Sequence, residues 1–224
     1  MKTLIIISHP DIAGSHSQQF LLEGITRQKN ITVHHLETLY PDGKINIEEE
    51  RLLVEQHQRI IFQFPLYWYS SPAMLKHWQD EVLEEDLFDR WKGKDFGLVV
   101  LAGIHEREFR AGGRERVTMD ELMRPFQTVA NKFGWHYLPV LSIHQFNYQT
   151  EEERKALLVR YQQLLTLPNE SLNERTDWFV RHLRKLSEEK TDSVQKQRLA
   201  HLVDLLLANQ EEIEDLKTTL DELD

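Results

Sequence analysis

Five times along this chain an apolar run rich in β-branched residues gives way to a stretch with helical spacing. That alternation restricts the fold more than any other feature of the sequence. Residues 3–8 (TLIIIS), 31–36 (ITVHHL), 59–64 (RIIFQF), 96–101 (FGLVVL) and 135–143 read as strands. Helical patterns follow them over about 17–29, 45–56, 72–83, 118–133 and 150–167. Residues 96–101 are continuously apolar, as a strand covered on both faces of a parallel sheet requires. Thr118 with Glu121, and Thr150 with Glu153, have capping-box spacing, and Pro72 suits a first helical turn. The pattern predicts an α/β fold with a doubly wound, open parallel sheet.

Pro168-Asn169 ends the alternation, and only helical periodicity remains beyond it. The expected organisation is therefore an α/β domain over 1–168 and an all-helical extension over 169–224. Leu199, Leu206, Ile213 and Leu220 fall seven apart, as do Leu202, Asn209, Leu216 and Leu223. That is a heptad array with one polar residue on its seam. Periodicity leaves two arrangements open: an antiparallel hairpin against the stripe from Trp178 to Leu186, and a coiled coil between chains. The acidic end of the extension favours the hairpin, because a parallel copy would repel it. The extension holds 8 basic and 14 acidic residues.

Composition removes several function classes. A net charge of −10 argues against nucleic acid and anionic membrane as partners, since both demand basic patches. No apolar run approaches the ~18–20 residues of a membrane-spanning helix, so no membrane insertion is expected. The chain has no cysteine, which excludes disulfides, Cys-ligated zinc, iron–sulfur clusters and thiol catalysis. The first strand runs into Ser8-His9-Pro10 with no small-residue cleavage site, so no signal peptide is expected and the cytoplasm is the expected compartment.

Ligands of doubly wound sheets bind beyond the carboxyl ends of the strands. Three segments should arrive there. The first, His9 to Gln19, contains neither GxGxxG nor GxxxxGK[ST], so neither a dinucleotide turn nor a P-loop is indicated. Its Ser15 and Ser17 sit beside a helix start, where hydroxyls and free N–H groups suit a phosphate; taken alone they read as N-caps. The second, Pro65-Leu66-Tyr67-Trp68-Tyr69-Ser70-Ser71-Pro72, puts three aromatic residues into a polar loop. These suit a flat aromatic ligand, a packed corner or a subunit interface. The third runs from Leu101 through Gly103 and His105 to Phe109, followed by Gly112-Gly113.

Taken in order and spacing, these segments resemble the flavodoxin-fold NAD(P)H:quinone reductases. The resemblance rests on His9-Pro10 with Ser15-x-Ser17, on residues 64–82 (FPLYWYSSPAMLKHWQDEV), on residues 118–127 (TMDELMRPFQ) after Gly112-Gly113, and on Gly134-Trp-x-Tyr-Leu-Pro. It covers about 1–168 and points to the small bacterial branch, which holds potassium-efflux ancillary subunits and general-stress quinone reductases. The resemblance implies a five-stranded parallel sheet of order 2-1-3-4-5, a homodimer, and FMN as cofactor, with FAD as the other option. It places His9, Ser15, His16, Ser17 and Gln18 around the flavin phosphate and ribityl chain. It places Leu66, Tyr67, Trp68 and Tyr69 beside the ring, and gives Leu101, Ala102, Gly103 and Ile104 as the flavin contacts of the third segment. Apolar surface for the dimer is expected around residues 67–69 and on the helix carrying Met74, Trp78 and Val82.

The activity implied is transfer of hydride from NAD(P)H through the flavin to a quinone, both substrates using one pocket in turn. Tyr69 and His105 are the candidate catalytic residues, placed to neutralise charge on the quinone oxygen. Two departures stand out. The family commonly has Thr-Thr-Gly-Gly where this chain has Leu101-Ala102-Gly103-Ile104, and a Gly-x-Ala-Tyr-Gly loop where this chain has the acidic stretch from Glu84 to Trp91. The alternative reading is a regulatory module that attaches to a protein partner through its helical extension.

Overall fold

A computed structural model describes residues 1–169 and 171–221. The strands are β1 (Thr3–Ile7), β2 (Ile31–His35), β3 (Arg59–Pro65), β4 (Asp95–Ala102), β5 (His136–Tyr137) and β6 (Leu141–His144). The helices are α1 (His16–Glu23), α2 (Leu36–Leu39), α3 (Ile47–Glu55), α4 (Ala73–Val82), α5 (Phe88–Trp91), α6 (Met119–Leu122), α7 (Arg124–Phe133), α8 (Glu151–Thr166), α9 (Leu172–Glu189) and α10 (Ser193–Asp221). All pairings are parallel, in the order β2-β1-β3-β4-β5, with β6 also on β4. The expected 2-1-3-4-5 order stands, with a sixth strand.

Two prolines account for the departures from the expected elements. The single strand expected over 135–143 is two short ones, because Pro139 has no N–H to give the ladder. The single helix expected over 118–133 breaks at Met123 into α6 and α7, and Pro125 takes the opening turn of the second. Thr118 and Glu121 close their capping box, and so do Thr150 and Glu153.

Side chains alternate across the sheet with the period of two that a strand imposes. Leu4, Ile6, Ile60, Phe62, Phe96 and Leu98 face α3, α4 and α7; Ile5, Ile7, Ile61, Val99 and Ile143 face α1 and α8. Trp78 and Val82 are fully buried in the first of these layers. They therefore offer no surface to a partner, contrary to the expectation for the helix that carries them.

Most polar groups inside these layers are paired, although Trp91 Nε1 and Gln18 Nε2 find no hydrogen-bond acceptor. The Glu50 carboxylate, 1% exposed, accepts from His34 Nε2 at 2.7 Å, Tyr40 Oη at 2.5 Å and Trp78 Nε1 at 2.7 Å. Burial pushes this carboxyl up, but the three hydrogen bonds outweigh it and hold the group below the ordinary carboxylate range.

The chain divides into two compact units, Met1–Thr166 and Leu167–Asp224. In the second, α9 and α10 lie against each other, joined by residues 190–192. Asn173, near the start of α9, donates to Glu214, near the end of α10, at 2.7 Å, so the pair is an antiparallel hairpin. The seam on α10 runs through Leu199, Val203, Leu206, Leu207, Gln210 and Ile213, so the first expected heptad row is kept as far as Ile213 and the second, from Leu202, is not. Leu202, Leu205, Leu216 and Leu220 are exposed. Leu223 and the acidic Glu222 and Asp224 lie outside the described residues. Among the described residues no helix is long and apolar enough to cross a membrane.

Candidate functional site

The strand order turns back between β1 and β3, so the carboxyl edge there is where this topology leaves a crevice. The first loop leaves β1 and is braced both by α2 and by its own side chains. Glu37 accepts from Ser8 Oγ at 2.6 Å and from the His9 N–H at 3.0 Å. Asp11 accepts from the Gly14 N–H at 3.0 Å, and the His9 ring accepts from the Asp11 N–H at 3.1 Å. Burial holds the His9 imidazole below its ordinary pKa, consistent with that acceptor role. Ser15 caps α1, and its hydroxyl stands 3.3 Å from that of Ser17.

A cavity of about 440 Å³ opens at the start of α1. Ser15, His16 and Ser17 line one side, Leu101, Ala102 and Gly103 another. A Cβ built on Gly103 meets no atom within 4 Å, so this glycine leaves the cavity open rather than serving a tight turn. The remaining wall is Gln145, Phe146, Asn147 and Tyr148, the loop after β6. Sequence reasoning missed these four. They follow the last strand of the sheet, at the same edge, and the rule that drew attention to the other loops applies to them equally. Gln145 holds a left-handed φ of 44°, a strain typical of functional loops.

Not every expected residue reaches this cavity. His9 and Ile104 do not line it. Gln18 is fully buried: its Oε1 accepts from Gln63 Nε2 at 2.5 Å, and Gln63 Oε1 accepts from Tyr161 Oη at 2.8 Å. The Gln18 side chain thus belongs to a polar chain beneath the loop, with its own Nε2 unpartnered. His105 caps a short 3₁₀ turn through its Nδ1 and lines a second, more polar cavity of about 460 Å³ with His144 and Arg160.

The second loop follows β3 at the same sheet edge. Leu66 N–H donates to Leu101 O at 2.8 Å, which joins this loop to the third at its base. Beyond it Tyr67 and Tyr69 are about half exposed and Trp68 is 94% exposed. Together the three rings form a contiguous exposed aromatic patch at the sheet edge. Below this loop, α4 and α7 flank a largely apolar groove of about 780 Å³ whose lining includes Leu83, Phe88, Leu122 and Val129. Among the described residues no cluster of His, Asp and Glu is arranged to hold a metal ion.

A parallel 2-1-3-4-5 sheet with its crevice at the β1 and β3 ends defines a flavodoxin-type α/β protein. The family described as having the flavodoxin-like fold matches residues 1–165, and the chain belongs to it. Relatives in that family include proteins named NAD(P)H oxidoreductase and glutathione-regulated potassium-efflux system ancillary protein. The protein named uncharacterized NAD(P)H oxidoreductase YrkL of Bacillus subtilis (strain 168) is 39% identical over 160 residues, spanning 69% of this chain and 92% of its own. Among solved structures, an NADPH-quinone reductase from P. pentosaceus is 43% identical, with TM-score 0.70 over 74% of this chain and 98% of its own. General stress protein 14 of Treponema denticola, solved in complex with FMN, is 32% identical, with TM-score 0.66 over 74% of this chain and 96% of its own. The family resemblance drawn from the motifs is borne out. The helical extension lies beyond the residues the family matches.

Proposed function

We propose that this chain is an FMN-dependent oxidoreductase that takes reducing equivalents from NAD(P)H and passes them to a quinone-type acceptor. The observation that carries this reading is the meeting of three loops in the 440 Å³ cavity, with the aromatic loop at the same sheet edge. The residues present fit a flavin mononucleotide. Ser15 and Ser17 offer hydroxyls at the N-terminus of α1, where phosphate is favoured. Gly103 leaves room for close approach, and Asn147 and Gln145 offer amides to a polyol chain. The lost threonines of the third loop leave Leu101 and Ala102 to act by backbone and shape alone.

Bound flavin supplies reversible two-electron chemistry, and the protein's part is to hold, orient and screen it. Tyr67 and Trp68 would give a flat wall beside the flavin ring, at the place where nicotinamide and quinone dock in turn. His105, in the third loop, lines the neighbouring 460 Å³ cavity and is the candidate proton donor, through its Nε2, to an acceptor that reaches into that cavity. Tyr69 is held by a neighbouring carboxylate and serves position rather than proton transfer. The chain functions as a cytoplasmic homodimer, its second copy seated on the apolar groove between α4 and α7. The test is uptake of FMN by the purified apoprotein: yellow colour and quenched flavin fluorescence support the reading, and a chain that stays colourless in excess FMN sinks it.

A second reading draws on α10. Leu202, Leu205, Leu216 and Leu220 stay exposed outside the hairpin seam, which suits attachment to a protein partner and a regulatory role for the α/β unit. Removal of the extension distinguishes the two, since only the second reading loses its principal activity.

A further inference from the structure

The aromatic loop contains a turn of unusual composition. Tyr67 and Ser70 exchange backbone hydrogen bonds, each 3.0 Å long. The two residues between them have positive φ, 47° at Trp68 and 66° at Tyr69. Two-residue turns of this handedness favour Asn-Gly, because a left-handed backbone crowds any Cβ. Placing Trp and Tyr there stores strain that persists only where surrounding groups hold it.

The holding contact comes from the third loop. Tyr69 Oη donates to Glu115 Oε2 at 2.7 Å, and Arg114 Nε donates to Glu115 Oε1 at 2.8 Å, so both carboxylate oxygens are engaged. The loop behind them is closed on itself. The Glu115 N–H donates to Glu108 O at 3.1 Å, and the Arg114 N–H to Glu108 Oε2 at 3.1 Å. Gly113 lies so near that a Cβ there would stand 2.3 Å from the Glu108 carbonyl oxygen. The backbone hairpin is therefore stiff, and the Glu115 side chain extends from it to the strained turn. Hydrogen bonds from Tyr69 and Arg114 hold the Glu115 carboxyl below its ordinary range, which keeps it an acceptor at neutral pH.

We infer that Glu115 is a positioning residue of the site: through Tyr69 it fixes the strained turn in the shape that stands Trp68 and Tyr67 out as a wall for a planar ring. The inference rests on the functional reading above, since the wall acts only if a flat ligand docks beside it. Without the carboxylate, the turn relaxes toward negative φ and carries the Trp68 indole away from its place.

The experiment titrates FMN into the full-length apoprotein and compares wild type with Y69F, E115A, E115Q and the Y69F/E115A pair. Y69F and E115A should each raise the FMN Kd about tenfold, the scale of one hydrogen bond to a charged group. The pair should be no weaker than either single variant, because both remove the same contact. E115Q keeps one amide oxygen for Tyr69 but loses the charge and the second acceptor, which holds Arg114, so it should fall between wild type and E115A. The visible circular dichroism of bound FMN should weaken in Y69F and E115A and recover in part in E115Q. Thermal melting shows that each variant is folded; Y69F, the smallest change, carries the test should E115A melt early. FMN binding by E115A or Y69F equal to wild type, or additive losses in the pair, overturns the inference. A wild-type chain that takes up no FMN overturns the functional reading and the inference together.

Discussion

Gly103→Leu would send four carbons into the 440 Å³ cavity at the carboxyl edge of the sheet. Most glycine substitutions damage the fold first, and this one should not. A Cβ at residue 103 meets nothing within 4 Å, and its φ lies outside the left-handed range that strains side chains. Replacing glycine also removes unfolded-state freedom, worth about 0.4–1 kcal/mol in favour of the fold, against an apolar side chain newly exposed in the cavity. The net change should stay within about 1 kcal/mol, or about 2–4 °C in Tm for a domain of this size. Ligand binding should respond very differently. The new side chain occupies space between the third loop and the start of α1, and the FMN Kd should rise at least ~100-fold, about 2.7 kcal/mol. Melting and FMN titration of the same sample measure both effects. A G103L protein with native Tm and native FMN affinity would show that the cavity is not the cofactor site.

Glu50→Gln should cost about 2–3 kcal/mol, because an amide cannot accept from all three donors around that position; urea unfolding measures it. The same carboxylate predicts a pH dependence. Its folded pKa is depressed, so its contribution to stability is complete above the ordinary carboxylate pKa and is lost as pH falls through the folded value. Urea midpoints of the wild type should therefore drop in acid more steeply than those of E50Q, and parallel curves would refute the assignment. A chain ending at Pro168 should keep its FMN affinity and lose any partner bound through α10; loss of FMN binding would mean that the extension contributes to the site.

The fold was legible because it depends on burial, and burial leaves a pattern. TLIIIS is buried throughout and FGLVVL at every position but Leu101, while the order of the strands came from the family resemblance rather than from the alternation. The breaks at Pro125 and Pro139 were visible as prolines, yet periodicity ran through both and hid them. In α10, seven-residue spacing is compatible with more than one stripe, and the hairpin chose the one through Val203 and Gln210. The site was legible where loops follow strands at the crevice, as at Ser15, Ser17 and Gly103. It was not legible at Gln18, whose polar side chain turned inward to Gln63, since a sequence records no direction for a helix's first turn. Nor was Glu115 legible: its role comes from the turn at Tyr69, and no local motif links residues 46 positions apart.

The central claim is that this chain moves electrons through a flavin held at the β1 and β3 edge. The direct measurement is the pair of half-reactions without oxygen, on protein loaded with FMN. Equimolar NADH or NADPH should bleach the yellow absorbance, and a quinone added afterwards should restore it. The G103L variant, treated identically, should show neither change on the protein. A loaded wild-type chain whose absorbance stays unbleached by both nucleotides would contradict the account.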